Sequence, residues 1–198
     1  PIFLAHSSRK YGGIEEFEYI TTSTFSFSLD DLKEMYVYAW SIQVFHSLGI
    51  FEQISKYYNK IHGLPFIEFF EEFLNFCRSE NSIFSEEYER SVEHANKGYS
   101  GKGWNDYDPQ FGELNWPFEE SSFLRMVQST QKLTKGMTQF LKYLEKKYDY
   151  KTDSVILEDL IKFQIFLLTT RGELEDTKSE QFNFDWKNFF LTGELNET

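Results

Sequence analysis

Four histidines, a single cysteine and several adjacent acid pairs are the side chains of this 198-residue chain whose chemistry reaches beyond packing. Cys77 would act as a nucleophile only as an exposed thiolate beside a cation. Its place in the run Phe66, Phe69, Phe70, Phe73, Leu74 and Cys77 puts it on the apolar stripe of a helix, where it reads as a small buried hydrophobe. One cysteine also leaves no Cys-based zinc or iron–sulfur site within the chain. His6, His46, His62 and His94 form no His-x-x-x-His or His-Glu-x-x-His pair, the spacings that place two ring nitrogens on one helix face toward a metal. His46, in a Val-Phe-His-Ser-Leu-Gly run, reads as a hydrogen-bonded core or pocket residue. His94, closing a charged helix, reads as a C-terminal cap on its carbonyls or as a substrate-facing side chain. The pairs Glu15–Glu16, Glu71–Glu72, Glu86–Glu87 and Glu119–Glu120 read as solvated helix faces or first turns; spacing alone does not pick out a pair for glycoside chemistry.

The unusual segment is residues 98–116, where Gly98, Gly101, Gly103 and Gly112 alternate with Tyr99, Trp104, Tyr107, Phe111 and Trp116. Three glycines in six positions loosely suggest a phosphate loop, but no apolar strand precedes them and no helix start follows. So much Gly cannot be regular helix, and so many rings are out of place in a solvated linker. Two readings stay open. The aromatics line a pocket for an organic ligand, with Tyr99, Trp104, Tyr107, Trp116 and the neighbouring His94 as candidate substrate-side residues, or they pin a long loop across helices.

The elements around that loop are mostly helical. Residues 17–27 are β-branched and aromatic with partial alternation, an extended lead-in. Ser28 and Asp31 form a capping-box pattern that opens a helix carrying Leu32, Met35, Tyr36, Ala39, Trp40 and Val44 at helical spacing. Gly49 marks a break, a second helix stops at Gly63, and Pro65 suits the first turn of a third. Ser82 or Ser85 caps a charged fourth helix ending near Lys97. Pro117 opens the longest helix, to about Tyr148, weakened at Gly136. A sixth, capped by Asp153 or Ser154, is apolar nearly all round and so expected to be central. Phe182, Phe184 and Trp186 alternate with polar neighbours, a closing strand over 180–192 able to pair with the lead-in. The expectation is a mainly α fold: one domain over residues 1–198, with about six helices. It has an extended lead-in (1–27), a helical core (28–170) and a small β element from the N- and C-terminal extended segments.

Composition narrows the partners. Hydrophobic residues make up 40% of the chain and aromatics 19%, including 22 Phe, ample for a folded core. A formal charge of −12 disfavours nucleic acid and anionic membrane surfaces, and no apolar run approaches the ~20 residues of a membrane span. Low cysteine usage points to a reducing compartment, the cytoplasm. The chain opens on Pro1-Ile2-Phe3-Leu4, without the basic and long apolar regions of a signal peptide, and reads as a cut through a longer polypeptide.

Three stretches carry a family resemblance. Residues 16–33 (EFEYITTSTFSFSLDDLK) are similar to a strand that leads into a post-barrel helix. Residues 36–50 (YVYAWSIQVFHSLGI) with 62–70 (HGLPFIEFF) form the second, and residues 112–120 (GELNWPFEE) with 160–164 (LIKFQ) the third. Together they resemble the C-terminal region of cobalamin (B12)-binding radical SAM enzymes, a family with many methyltransferases. The resemblance implies a parent protein that uses S-adenosylmethionine, a [4Fe-4S] cluster and cobalamin. None of these is held by this chain, which departs from the family pattern in having neither a Cys-x-x-x-Cys-x-x-Cys segment nor an Asp-x-His-x-x-Gly sequence. On that reading the chain is an accessory, substrate-side domain. It packs beside N-terminal catalytic domains of the same polypeptide, closes over a small-molecule substrate and has no catalytic residue of its own. Exposed apolar surface within residues 1–27 is the corollary. The alternatives from other classes are a free-standing helical small-molecule-binding protein and a protein-interaction module.

Overall fold

The computed structural model describes residues 2–5, 17–104, 106–170 and 179–198; His6 and the Glu15–Glu16 pair lie outside them. The fold is mainly helical. In chain order the elements are β1 (Ile2–Ala5), β2 (Phe17–Ile20), α1 (Leu29–Ile42), α2 (Glu52–His62), α3 (Phe66–Ser79), α4 (Ile83–Tyr99), β3 (Asp106–Tyr107), β4 (Asn115–Trp116), α5 (Phe118–Gln128), α6 (Thr130–Tyr148), α7 (Ser154–Thr170) and α8 (Trp186–Thr192). Among the described residues no helix is long and apolar enough to cross a membrane.

α1 begins as its sequence dictates. The Ser28 side chain accepts from the Asp31 amide and the Asp31 carboxylate takes the Ser28 amide at 2.7 Å, closing the capping box. Its far end winds into a π-helical turn, Gln43–Ser47, which leaves the adjacent Val44 and Phe45 both fully buried. Gly49 at φ 98° and Gly63 at φ 68° then supply the left-handed corners before and after α2.

The core is a continuous aromatic packing. Phe45 lies 4.2 Å from Phe73 and 5.4 Å from Phe84, and Phe51 touches Phe69, Phe73, Phe84 and Phe140 at 5.2–5.9 Å, in mostly edge-on or tilted geometry. Each such ring is worth about 1.5–3 kcal/mol by burial, with a further ~1 kcal/mol per favourable ring pair. Gln164 of α7 ties the α1–α2 corner to this core. Its Oε1 accepts from the Gln53 amide at 2.8 Å and its Nε2 donates to the Gly49 carbonyl at 2.7 Å.

Several elements differ from the sequence expectation. The long helix over 117–148 breaks at Ser129 (φ −107°, ψ 56°), giving α5 and α6, and stays helical at Gly136. Gly136 serves packing instead, since a Cβ there would stand 3.0 Å from Phe84 and 3.1 Å from Ile83. α7 is not central. One side meets α2 and α6, Phe163 and Phe166 are covered by Phe182, Trp186 and Phe190 of the C-terminal segment at 5.4–6.1 Å, and Val155 stays exposed. The expected closing strand is mostly the helix α8, whose N-cap Asp185 accepts from the Asn188 amide at 2.9 Å. The small β element is present at both ends, but each end pairs with itself. β1 pairs antiparallel with β2, and Phe184 bridges to Glu197. The buried Asp159 carboxylate explains the second case. It takes the Asn183 and Phe184 amides, donors a strand partner would otherwise use, and the Trp186 indole N–H, all at 2.9–3.2 Å.

Candidate functional site

Three elements and the loop after α4 converge on one face. α1 supplies Tyr36 and, one turn on, Trp40. α4 supplies Glu87, His94, Gly98 and Tyr99, with His94 and Gly98 one and two turns beyond Arg90. The loop supplies Trp104 and Asp106, and α5 supplies Phe118, Ser121, Ser122 and Arg125.

The outer half of the site is aromatic. His94 is 4% exposed; it stacks on Phe118 at 4.4 Å and meets Trp104 at 5.3 Å. Trp104 lies edge-on to Tyr36 at 4.8 Å and to Tyr99 at 5.1 Å. Tyr36 Oη and His94 Nδ1 are 2.9 Å apart. Burial, with help from Glu119, pushes the Tyr36 phenol far up, so it stays an O–H donor. Burial also holds His94 below its ordinary value, against a smaller opposing pull from the Trp104 main chain. Nδ1 of a neutral His94 therefore accepts from Tyr36 and the ring proton sits on Nε2. Among the described residues no hydrogen bond of normal geometry reaches Nε2.

The inner half is ionic. Arg125 forks onto Glu87, Nε to Oε1 and Nη2 to Oε2, both at 2.9 Å, and its Nη1 donates to Asp106 Oδ2 at 2.8 Å. Ser122 Oγ donates to Glu87 at 2.8 Å, Ser121 Oγ donates to Asp106 at 2.7 Å, and Trp40 Nε1 donates to Ser122 at 3.3 Å. Burial would raise the Asp106 carboxyl, yet the Arg125 and Ser121 contacts outweigh it and hold the group below its usual range. Burial likewise opposes the Arg125 charge, and its two carboxylate partners outweigh that and raise its pKa. Between the halves lies a cavity of about 180 Å³, with His94, Phe118, Asp106 and Arg125 on its inner side and the exposed Arg90, Glu93 and Lys97 at its mouth. The titratable groups here are engaged with one another, so the arrangement presents a shaped wall to a ligand more readily than it moves a proton.

Of the residues singled out by sequence, His94, Tyr99 and Trp104 come together. Tyr107 stands in β3 opposite Asn115, 46% exposed, and Trp116 donates its indole N–H to the Phe111 carbonyl at 3.3 Å within the loop. His94 is not the C-terminal cap of α4, because the helix continues to Tyr99. Gly98 belongs to that helix and not to a phosphate loop; a Cβ on it would lie 1.9 Å from the Trp104 ring. Glu87, read as one of a solvated pair, is 4% exposed. Sequence reasoning also missed Tyr36, Asp106 and Arg125. The available signal was the spacing of Glu87, Ser91, Ala95 and Gly98, a stripe of small residues with one acid down an otherwise charged helix.

Among the described residues, the cysteine and the other two histidines lie in packed surroundings. Cys77 is 4% exposed and its thiol is pushed up by burial. His62 Nε2 lies 3.0 Å from Thr152 Oγ1, and its ring stacks on Tyr150 at 3.9 Å. His46 sits in the π-helical turn near Phe66 and Phe70 at 5.8 and 6.1 Å. No protein-family model matches the chain, and no curated protein matches it either.

Proposed function

We propose that the chain is the helical, substrate-side domain of a cobalamin-binding radical SAM enzyme. It shapes the substrate site with the His94–Trp104 face, while other domains of the same polypeptide supply the chemistry. The observation that carries this reading is the exposure of the lead-in. Tyr19 is 72% exposed and Phe25 is fully exposed, immediately before the capped start of α1. Large rings this exposed suit a face on which another domain docks. Such a parent holds an iron–sulfur cluster on cysteine thiolates. The one cysteine here is buried with a raised pKa, so the chain's residues do not fit that group and no step through it is assigned to them.

The complete reading frame tests the proposal. It is expected to encode a Cys-x-x-x-Cys-x-x-Cys segment upstream of the lead-in; a frame that starts at the lead-in overturns it. At the protein level, the upstream part expressed separately should co-elute with this chain, and Tyr19→Ser with Phe25→Ser should abolish co-elution without unfolding the chain. A second reading, a free-standing small-molecule-binding protein, is favoured by the cavity beside His94 and becomes the better one if the frame is short.

A further inference from the structure

The Trp104 indole fills a socket whose walls come from α1 and α4. One wall is Tyr36, held by its 2.9 Å contact with His94. A second is His94, fixed from behind by its stack on Phe118. A third is Tyr99, 8% exposed, and the base is the bare backbone of Gly98. A Cβ at position 98 would fall 1.9 Å from Cε3 and 2.0 Å from Cζ3 of Trp104, so the six-membered ring occupies the space of a side chain. Only glycine leaves that space inside a helix, where it is the least favourable residue after proline.

The occupant is less buried than the α4 walls. His94, Gly98 and Tyr99 are buried, whereas Trp104 is only half-buried and opens to solvent. Among the described residues the Trp104 indole N–H has no hydrogen-bond partner, and its ring meets those of Tyr36, His94 and Tyr99. Just upstream the chain turns through Gly101 (φ 80°) and Gly103 (φ 101°), residues free to take up a change of backbone direction.

We propose that this socket is a binding site for a planar aromatic group of a ligand, and that Trp104 occupies it as a displaceable plug. The inference rests on the reading that this face meets a small molecule. Edge-on ring walls and a slot one ring thick select a flat aryl group about the size of indole. Because His94 borders both the socket and the polar cavity, a substituent on that ring meets Arg90 and Lys97 at the cavity mouth.

Free indole is the probe, with binding read by calorimetry and by the His94 imidazole resonances. Trp104→Ala should bind indole saturably. The wild type should bind it about 10- to 100-fold more weakly, because the ligand must select the plug-out state. Adding Gly98→Leu to Trp104→Ala should abolish binding by filling the slot. A folded Trp104→Ala that binds no indole overturns the proposal. So does a wild type that shows no shift of His94 up to the solubility of indole, since the ring is then a fixed part of the core. If Trp104→Ala does not fold, the wild-type titration alone decides between the same two outcomes. Indole binding with a short reading frame would keep the socket and remove the enzyme parent; a long frame without indole binding would do the reverse.

Discussion

Arg125 and Glu87 face each other as a buried fork, two parallel 2.9 Å bonds between a side chain 12% exposed and one 5% exposed. They come from different helices, α5 and α4, so the pair fixes how these two helices meet at the site. A buried ion pair adds little net stability over apolar packing, but breaking it leaves an uncompensated charge. Arg125→Met should therefore cost about 3–5 kcal/mol. The double variant Glu87→Gln with Arg125→Met should cost clearly less than the sum of the two single changes. Urea unfolding of the four proteins measures the coupling; a coupling of zero would mean the fork does not act as a unit.

Acid should weaken the fold in two steps. Burial lowers His94 from its ordinary 6.5, so as pH falls the unfolded chain takes up that proton first. The stability is present above about pH 6.5 and is lost as pH falls toward the folded value. His62 is lowered for the same reason and shares the window. Asp106 is lowered from 3.8, so its contribution is present above that value and is lost as pH falls through the depressed one. Urea midpoints should be flat from about pH 8 to 7, decline below about 6.5, and decline again below about 4. His94→Gln should make the first decline shallower, with the remainder due to His62. An unchanged slope would remove His94 from the explanation.

Asp159 should hold down the C-terminal segment. Its carboxylate takes two amides and the Trp186 indole N–H in a buried setting, and Trp186 is 2% exposed. Asp159→Ala leaves those donors unpaired, at about 1–3 kcal/mol for each one that stays buried. The relieved structure is one in which residues 179–198 detach and uncover Phe163 and Phe166. Hydrogen exchange should show lost protection at Asn183, Phe184 and Trp186 with little change in α3 and α6; uniform loss across the protein would argue against a local clamp.

What could be read in advance follows the range of the interaction. The Ser28–Asp31 box and the Gly63 corner were legible because each is decided within four residues. The apolar face of α3 was legible because its period shows in the sequence. The break at Ser129 was not, since nothing local there competes with Gly136, whose missing side chain answers to Phe84, more than fifty positions away. α8 was misread because alternation in Phe182, Phe184 and Trp186 is produced by burial against α7 and by Asp159, not by a sheet. At the site, His94, Tyr99 and Trp104 stood out by residue type. Glu87 and Arg125 are ordinary surface residues by type, and only the meeting of α4 with α5 makes them a buried pair.

Gln164 carries a consequence for cooperativity. The amide of Gln53 and the carbonyl of Gly49, at the corner between α1 and α2, find their partner 111 and 115 positions further along the chain. Until α7 arrives, the Gln53 amide lacks that partner and the Gly49 carbonyl keeps only a long 3.4 Å bond from the Glu52 amide. The N-terminal half therefore cannot settle its own turn alone, and the two halves should gain or lose order together, as one unfolding unit.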